Sequence, residues 1–185
     1  MIDHETYQKK LIEFNTREKY SKEMHFMCKL IQPEFKDKIL DYGCGTGYMA
    51  RHIKYNLKAD CFGYDKYNYV MEPDPYMFRT EYSFPFNKIY FMHSFAHVEP
   101  EVMFKNFDWA LKDGGSVYIM TPNKDWLRNV GTPSEYTPDP TVYQHYNMDQ
   151  LLDLFKENKF KIDILGQFGE YFNGQHERIF LKATR

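Results

Sequence analysis

Cysteine is scarce in this sequence, and long apolar runs are missing. Three cysteines, Cys28, Cys44 and Cys61, stand far apart and never form a C-x-x-C pair. Their number and spacing argue against a disulfide scaffold and a zinc-ribbon site, and favour free thiols in a reducing compartment. No stretch approaches the roughly 20 apolar residues that span a bilayer. The N-terminus lacks a basic segment followed by an apolar run, so the sequence predicts a cytoplasmic protein with no membrane partner.

A surplus of basic residues is also missing. The formal net charge is −2, whereas proteins that bind nucleic acid gain much of their affinity by neutralising phosphates. We therefore expect no nucleic-acid partner. The length of 185 residues predicts a single domain, and aromatic residues are abundant, with 16 Tyr and 16 Phe.

The hydrophobic pattern alternates between short strands and amphipathic helices, which is typical of an α/β protein. Helical spacing covers 5–30, 48–56, 100–112 and 148–158, the last capped by Asn147. Apolar strands are predicted at 38–42, 59–65, 88–93 and 116–120, and a terminal hairpin at 160–168 and 177–184. Proline and polar residues predict a long loop over 124–146.

A glycine-rich turn follows the first predicted strand, where 41–47 reads D-Y-G-C-G-T-G. Glycines at such a turn let a ligand approach the backbone closely. A dinucleotide fingerprint, G-x-G-x-x-G, would need a glycine where Tyr48 stands. The G-K-[S/T] of a phosphate-binding loop is missing as well, so the turn fits neither template.

The segment 39–47 resembles the first motif of the class I S-adenosylmethionine-dependent methyltransferases. Residues 111–115, L-K-D-G-G, resemble that family's L-K-P-G-G, and 119–123 resemble the fifth strand with its T-P-N ending. These later motifs are similar to the branch that contains ubiquinone-biosynthesis and small-molecule methyltransferases. The segment between Asp65 and Asn87 is shorter than the family's usual helix and third strand, and Glu81 is the one stand-in for the acid that follows that strand.

The resemblance implies a fold, a cofactor and a set of cofactor contacts. The fold is a Rossmann-like, doubly wound, mostly parallel sheet in three α-β-α layers with a C-terminal antiparallel hairpin. The cofactor is S-adenosyl-L-methionine. Asp41 would help hold its amino group, and Asp65 would bind the ribose hydroxyls. The other predicted contacts are Gly43, Cys44, Gly45, Thr46, Gly47, Tyr48, Lys66, Ser94 and Phe95.

Chemistry is expected at the carboxyl ends of the strands, where open α/β sheets bind ligands. His97 and His145 are the predicted catalytic bases, because histidine titrates near neutral pH. His93, Asn123, Tyr136 and Tyr143 are expected to face the same space. A weaker alternative is a metal site formed by His93, His97 and His145, and we predict no bound metal.

The chain therefore divides into an N-terminal helical lid (1–32), with Tyr20 or Phe26 reaching inward, a cofactor-binding core (38–123), a substrate loop (124–146) and a C-terminal helix and hairpin (147–185). The predicted function is methyl transfer to oxygen or nitrogen of a small-molecule acceptor. A cofactor-binding regulator or partner subunit without transferase activity, and an enzyme that methylates RNA or protein, are the alternatives.

Overall fold

The computed structural model describes residues 18–67, 74, 76–78, 85–130 and 141–185, together with Lys9 and Glu13. Tyr136 and Glu81, both considered from the sequence, lie outside the described residues. The structural statements below concern the described part of the chain.

Six strands form one mixed sheet in the order β2-β1-β3-β4-β6-β5. The first four strands in this order are parallel, and the terminal hairpin adds β6 and β5 antiparallel to β4 and to each other. The strand bounds are β1 Lys38–Tyr42, β2 Asp60–Tyr64, β3 Phe86–Met92, β4 Leu111–Pro122, β5 Lys161–Phe172 and β6 Gln175–Thr184. This topology confirms the Rossmann-like fold that the sequence predicts.

Helices cover both faces of the sheet, which completes the three layers. Their bounds are α1 Glu18–Ile31, α2 Tyr48–Arg51, α3 Pro100–Ala110, α4 Lys124–Val130 and α5 Met148–Glu157. Helix α2 continues as a π-helical turn, His52–Asn56, and a 3₁₀ turn spans Phe95–His97. Helix α5 begins with the predicted cap: Asn147 accepts from the amide of Gln150, and the Gln150 side chain bonds back to the Asn147 amide.

Two apolar cores form because successive side chains of a strand point to opposite faces. On one face, Leu40, Ile89 and Phe91 pack with side chains of α3 and α5 such as Phe104 and Phe155. On the other face, a second cluster joins the strands to α1 and α2; it includes Ile39, Tyr90 and Met92 of the strands and Met27 and Met49 of the helices. The sheet is thereby fixed between the helices, and its carboxyl edge is left to hold the functional groups.

Several predicted boundaries differ in the structure. The predicted loop 124–146 begins with helix α4, so its first seven residues are not loop. Helix α3 ends at Ala110, and strand β4 begins at Leu111, five residues before the predicted start of that strand at 116. Leu111 pairs with Phe86 of β3. The hairpin strands are longer than predicted, since β5 reaches Phe172 and β6 starts at Gln175.

Strand β2 lies at the edge of the described sheet, where the methyltransferase resemblance places a third strand. A single parallel bridge between Gly63 and Phe78 occupies this edge, supported by the Gly63 amide donating to the Met77 carbonyl at 3.0 Å. The shortened segment that the sequence indicated therefore places a bridge, rather than a described strand, beside β2. No described helix is long and apolar enough to cross a membrane.

Candidate cofactor and active site

The glycine-rich turn is hydrogen-bonded to the end of β2. The amides of Gly43 and Cys44 both donate to the Tyr64 carbonyl, at 2.7 and 3.0 Å, and the Gly47 amide donates to the Cys44 carbonyl at 2.8 Å. These bonds fix the turn against the carboxyl ends of β1 and β2. The turn therefore lies at the sheet edge where the sequence predicts cofactor binding.

Gly43 is glycine for two separate reasons. Its φ of +79° lies in the left-handed region, which disfavours residues with a Cβ atom. A Cβ atom at this position would also lie 2.3 Å from the Cβ of Ser94, just after β3. The Ser94 hydroxyl donates to the Tyr42 carbonyl beside it. The turn and the β3 end thus approach each other more closely than any side chain at position 43 would allow.

Asp65 holds the turn from the end of β2. Its carboxylate accepts from the Gly45 amide at 2.8 Å and from the Tyr67 amide at 2.9 Å. Burial raises the pKa of Asp65, and these two hydrogen bonds act in the opposite direction because they favour the ionised form. An acid at this position can also accept hydrogen bonds from a ribose diol.

Asp41 is a carboxyl group buried beneath the same turn, with 3% of its surface exposed. Burial raises its pKa to about 7; the Tyr90 hydroxyl opposes the rise, and the charge of Asp65 adds to it. No ion pair to Asp41 occurs within the described ranges. A ligand ammonium would supply the missing positive charge, so the position fits the amino group that the resemblance assigns to it.

Helix α1 covers this turn. Tyr20 is 8% exposed, and its pKa is raised by burial and by the charges of Asp41 and Glu23. Its ring lies 6.3 Å from that of Tyr48. Phe26, the other candidate for an inward-reaching residue, instead stacks on Phe168 of β5 at 4.5 Å. Of the two predicted residues, Tyr20 is thus the one near the glycine-rich turn.

The remaining predicted cofactor contacts have different environments. Thr46 is buried and its carbonyl accepts from Arg51 at 3.0 Å. Lys66 is exposed, with its ammonium 5.5 Å from the Tyr67 ring. The Phe95 ring is 1% exposed and packs in the core, with ring contacts to Phe91, Tyr146 and Phe155.

The two predicted catalytic histidines lie in segments that meet at the carboxyl edge. The amides of Tyr143 and Gln144, next to His145, both donate to the Ala96 carbonyl, next to His97. His97 Nδ1 is 2.8 Å from the Thr141 hydroxyl, and the charge of His97 acts to lower the pKa of Asp65. His97 therefore belongs to the Asp65 side of the edge.

A buried charged cluster at the same edge was not predicted from the sequence. Glu23 of α1 contacts both Arg178 Nε at 2.9 Å and His93 Nε2 at 2.8 Å, and Arg178 also contacts Glu177 at 2.9 Å. The only local signal is an acid, Glu23, between the apolar positions of an amphipathic helix. Its partners lie 70 and 155 residues away, so spacing could not reveal them.

Metal-binding geometry is not found in the part of the chain that the structure describes: no group of three His, Cys, Asp or Glu side chains could hold an ion there. His93 contacts Glu23, whereas His97 contacts Thr141. Two of the three histidines considered as an alternative metal site, His93 and His97, thus have different partners.

Comparison with known proteins identifies related sequences and folds. A family described as "Methyltransferase domain" matches residues 8–164. Among proteins with curated functions, none matches the sequence.

Several solved structures are similar in fold. An S-adenosylmethionine-dependent methyltransferase from Archaeoglobus fulgidus is 14% identical, with a TM-score of 0.68 over 95% of this chain and 98% of that one. A second, from Mesorhizobium loti, is 15% identical, with a TM-score of 0.66 over 86% and 96%. A chain of the Pnkp1/Rnl/Hen1 RNA repair complex is 17% identical, with a TM-score of 0.63 over 91% of this chain and 42% of that one. At such identities the structural likeness concerns the fold.

Proposed function

Because this chain belongs to the methyltransferase-domain family, S-adenosylmethionine is its methyl donor, and we propose that it transfers the methyl group to oxygen or nitrogen of a small molecule. The observation that supports the cofactor site most strongly is the placement of Asp41 and Asp65. One carboxyl group lies buried below the glycine-rich turn, and the other binds the turn's Gly45 amide at 2.8 Å.

In this proposal, different residues of the chain contact different parts of the cofactor. Asp41 would pair with the amino group, and Asp65 would accept from the ribose hydroxyls while keeping its bond to Gly45. The backbone from Gly43 to Gly47 would contact the amino-acid part, with Cys44, Thr46 and Tyr48 around it. When bound, S-adenosylmethionine supplies a methyl group made electrophilic by a positively charged sulfur.

Further cofactor contacts in the proposal come from both sides of the turn. Ser94 lies against Gly43, so it would border the amino-acid part. Lys66 follows Asp65 and would flank the adenosine. Phe95 would contribute through its backbone, because its ring is in the core.

The acceptor would bind at the carboxyl edge, near the segment 141–146 and the start of β6. His97 and His145 are candidate bases for an acceptor that carries a proton. Tyr143 is 56% exposed and could contact a ring-bearing acceptor, whereas Trp126 is 3% exposed and belongs to the core. The net charge of −2 favours a small molecule over RNA. A closer assignment, to the ubiquinone-biosynthesis-like branch, is part of the same proposal.

One observation favours a second candidate function, cofactor binding without transfer. The segment between Asp65 and Asn87 is shorter than the helix and third strand that the family resemblance implies, and this favours a chain that binds the cofactor without turning it over. A regulator or partner subunit would need only the glycine-rich turn and its two acids.

Two measurements test the proposal in sequence. Calorimetric titration with S-adenosylmethionine and S-adenosylhomocysteine should give micromolar binding, and Asp65→Ala should weaken it while the exposed Asp113→Ala does not. Transfer of radiolabelled methyl to a panel of phenols, amines and carboxylates then tests the acceptor class. Binding without transfer to any member, and with transfer to RNA or protein also negative, would favour the non-catalytic alternative. No binding at all would refute the cofactor assignment.

A further inference from the structure

A cavity of about 190 Å³ lies between helix α3 and strands β1, β2 and β3. Leu40 and Ile89 of the strands line its base, and Phe107 and Ala110 line it from α3. Asp41 follows Leu40 along β1, and successive side chains of a strand point to opposite faces of the sheet. The cavity is therefore on the face opposite the carboxyl group that is proposed to bind the cofactor's amino group.

Aromatic side chains form the other walls of the cavity. Tyr42 and Tyr64 line it from the carboxyl ends of β1 and β2, and their ring centroids are 4.9 Å apart. Trp109 of α3 also lines it and is 55% exposed, so this wall faces solvent. Such walls favour a planar aromatic ligand, because aromatic rings stack or meet edge to face.

Asn106 of α3 adds a polar group to these walls. Its side-chain amide donates to the Tyr42 hydroxyl at 3.3 Å, and its carbonyl oxygen accepts no hydrogen bond within the described ranges. The carbonyl oxygen of an asparagine has two lone pairs that can accept from a ligand. A hydroxyl group both donates and accepts, so it matches the amide in either of its two orientations.

The volume and the absence of charge narrow the ligand further. An apolar cavity of about 150 Å³ holds benzene, so about 190 Å³ leaves space for one ring with a small substituent. None of the described residues that line the cavity is charged. An ionised ligand would lose its hydration without gaining a partner, and the cavity therefore favours a neutral compound.

The two tyrosines that line the cavity also hold the glycine-rich turn. The Tyr64 carbonyl accepts from the amides of Gly43 and Cys44, and the Tyr42 carbonyl accepts from the Ser94 hydroxyl. A ligand that packs against both rings restrains the residues whose backbones fix the turn. Cofactor binding then has a smaller loss of conformational entropy to overcome.

We propose that this cavity is a second ligand site, which takes a neutral single-ring compound of the phenol class. Asn106 binds the hydroxyl group, and Tyr42, Tyr64 and Trp109 pack around the ring. Occupancy strengthens cofactor binding through the carbonyls of the two tyrosines. The site is distinct from the proposed acceptor site, because none of the residues 141–146 lines the cavity.

Phenol is the probe, and S-adenosylmethionine is left out so that no methyl transfer occurs. Of the two tryptophans in the chain, Trp109 lines the cavity and Trp126 does not. Phenol should shift the indole N–H signal of Trp109 in ¹H–¹⁵N spectra and leave that of Trp126 in place, with a dissociation constant of about 1 mM or below. An unchanged Trp109 signal at about ten times that concentration would overturn the proposal.

Asn106→Leu removes the polar group and keeps a side chain of similar size. It should weaken phenol binding about fivefold or more, and leave the binding of toluene, which lacks the hydroxyl, within about twofold. Lys105→Leu is the matched control on the exposed side of the same helix and should change neither. Equal effects of Asn106→Leu on phenol and toluene would refute the contact assigned to Asn106.

A second pair of variants keeps the test decisive if Asn106→Leu does not fold. Trp109→Ala removes the exposed wall and should weaken both phenol and toluene; unchanged binding would overturn the proposal. Tyr143→Ala alters the proposed acceptor site and should retain phenol binding. Loss of phenol binding in Tyr143→Ala, with binding retained in Trp109→Ala, would place phenol in the acceptor site and refute the cavity as its site.

Calorimetry tests the coupling to the cofactor. Saturating phenol should tighten S-adenosylhomocysteine binding about fivefold or more, and S-adenosylhomocysteine should tighten phenol binding by the same factor, because coupling between two sites is reciprocal. Unchanged or weaker binding would refute the coupling. If S-adenosylhomocysteine does not bind at all, the proposed function fails, and the phenol titration without cofactor still decides whether the cavity is a ligand site.

Discussion

The amide of Gly45 donates a 2.8 Å hydrogen bond to the carboxylate of Asp65, twenty residues further along the chain. This bond ties the middle of the glycine-rich turn to the acid that ends β2. The two halves of the proposed cofactor site are therefore positioned by each other, and a change at Asp65 should affect both.

Replacing Asp65 should separate these two effects. Asp65→Ala removes the bond to Gly45 and the contacts proposed for the ribose, and we expect about 10- to 100-fold weaker binding of S-adenosylhomocysteine, since bonds to charged groups contribute about 1.5–3 kcal/mol. Asp65→Asn retains one oxygen for the Gly45 amide and should lose less. Calorimetry measures both, with Asp113→Ala as the control; equal affinity of Asp65→Ala and the unaltered protein would contradict the assigned role.

Gly43 and Gly114 provide a matched pair for testing the close approach at the turn. Both have positive φ values, +79° and +71°, but only at Gly43 would a Cβ atom meet another residue, Ser94; nothing lies within 4 Å at Gly114. Gly43→Ala should therefore lower the melting temperature and abolish measurable cofactor binding. Gly114→Ala should cost only the backbone strain, about 1 kcal/mol, and leave binding intact. Similar losses for the two variants would show that the contact with Ser94 is unimportant.

Local signals in the sequence predicted the part of the fold that depends on neighbouring residues. The glycine spacing after an apolar strand located the turn between β1 and α2, and Asn147 as a cap located the start of α5. Helix α4 was missed because its seven polar and apolar residues lie in a proline-containing stretch. Such a short helix is stabilised by tertiary contacts, here the burial of Trp126, more than by its own propensity.

The contacts between residues far apart in the sequence could not be predicted from the sequence. The approach of Ser94 to Gly43 depends on the parallel pairing of β1 with β3. The contacts of Glu23 join α1 to residues on β6 and after β3, and one isolated chain offers no pattern that links such positions. The site that surrounds the turn was therefore predicted in part, and the charged cluster beside it was found only in the structure.

Asp41 should make cofactor affinity depend on pH. Its pKa is about 7 in the folded protein without ligand, and a bound ammonium would keep the carboxylate ionised. Binding should therefore release a proton at pH 6, and affinity for S-adenosylhomocysteine should rise about eightfold from pH 6 to pH 7.5. Calorimetry in two buffers of different ionisation enthalpy counts the protons. Asp41→Asn should bind more weakly and show no such rise; the same pH dependence in this variant would assign it to another group.

The same carboxyl group should make the unliganded fold less stable at high pH. Its pKa is about 7 when folded against an ordinary value of 3.8, so the folded state holds more protons between these values. The contribution of Asp41 to the free energy of unfolding therefore falls as pH rises from about 4 to above 7. Asp41→Asn should raise the melting temperature at pH 8 and should raise it less at pH 5. A larger stabilisation at pH 5 would contradict this account.

Arg178 should be essential for stability, because it is the guanidinium between two buried carboxylates. It is 2% exposed, and its partners Glu23 and Glu177 are 1% and 0% exposed. Arg178→Met would leave both carboxylates without this cation, and removing one member of a buried ion pair costs about 3–5 kcal/mol. Arg185→Met is the matched control, since Arg185 pairs with the exposed Asp108 and such surface pairs contribute about 0–1 kcal/mol.

Denaturant unfolding at pH 7 measures the free energy of unfolding of both arginine variants. Repeating the measurement at lower pH shows whether a loss of stability comes from uncompensated carboxylate charge. Lowering the pH to about 5 should return part of the stability of Arg178→Met, because Glu23 and Glu177 can then take up protons in the folded state. The Arg185→Met variant should show no comparable gain. If Arg178→Met loses the same stability at both pH values, Arg178 stabilises the fold through packing of its aliphatic chain. Its ion pairs with Glu23 and Glu177 would then not be the cause of the loss.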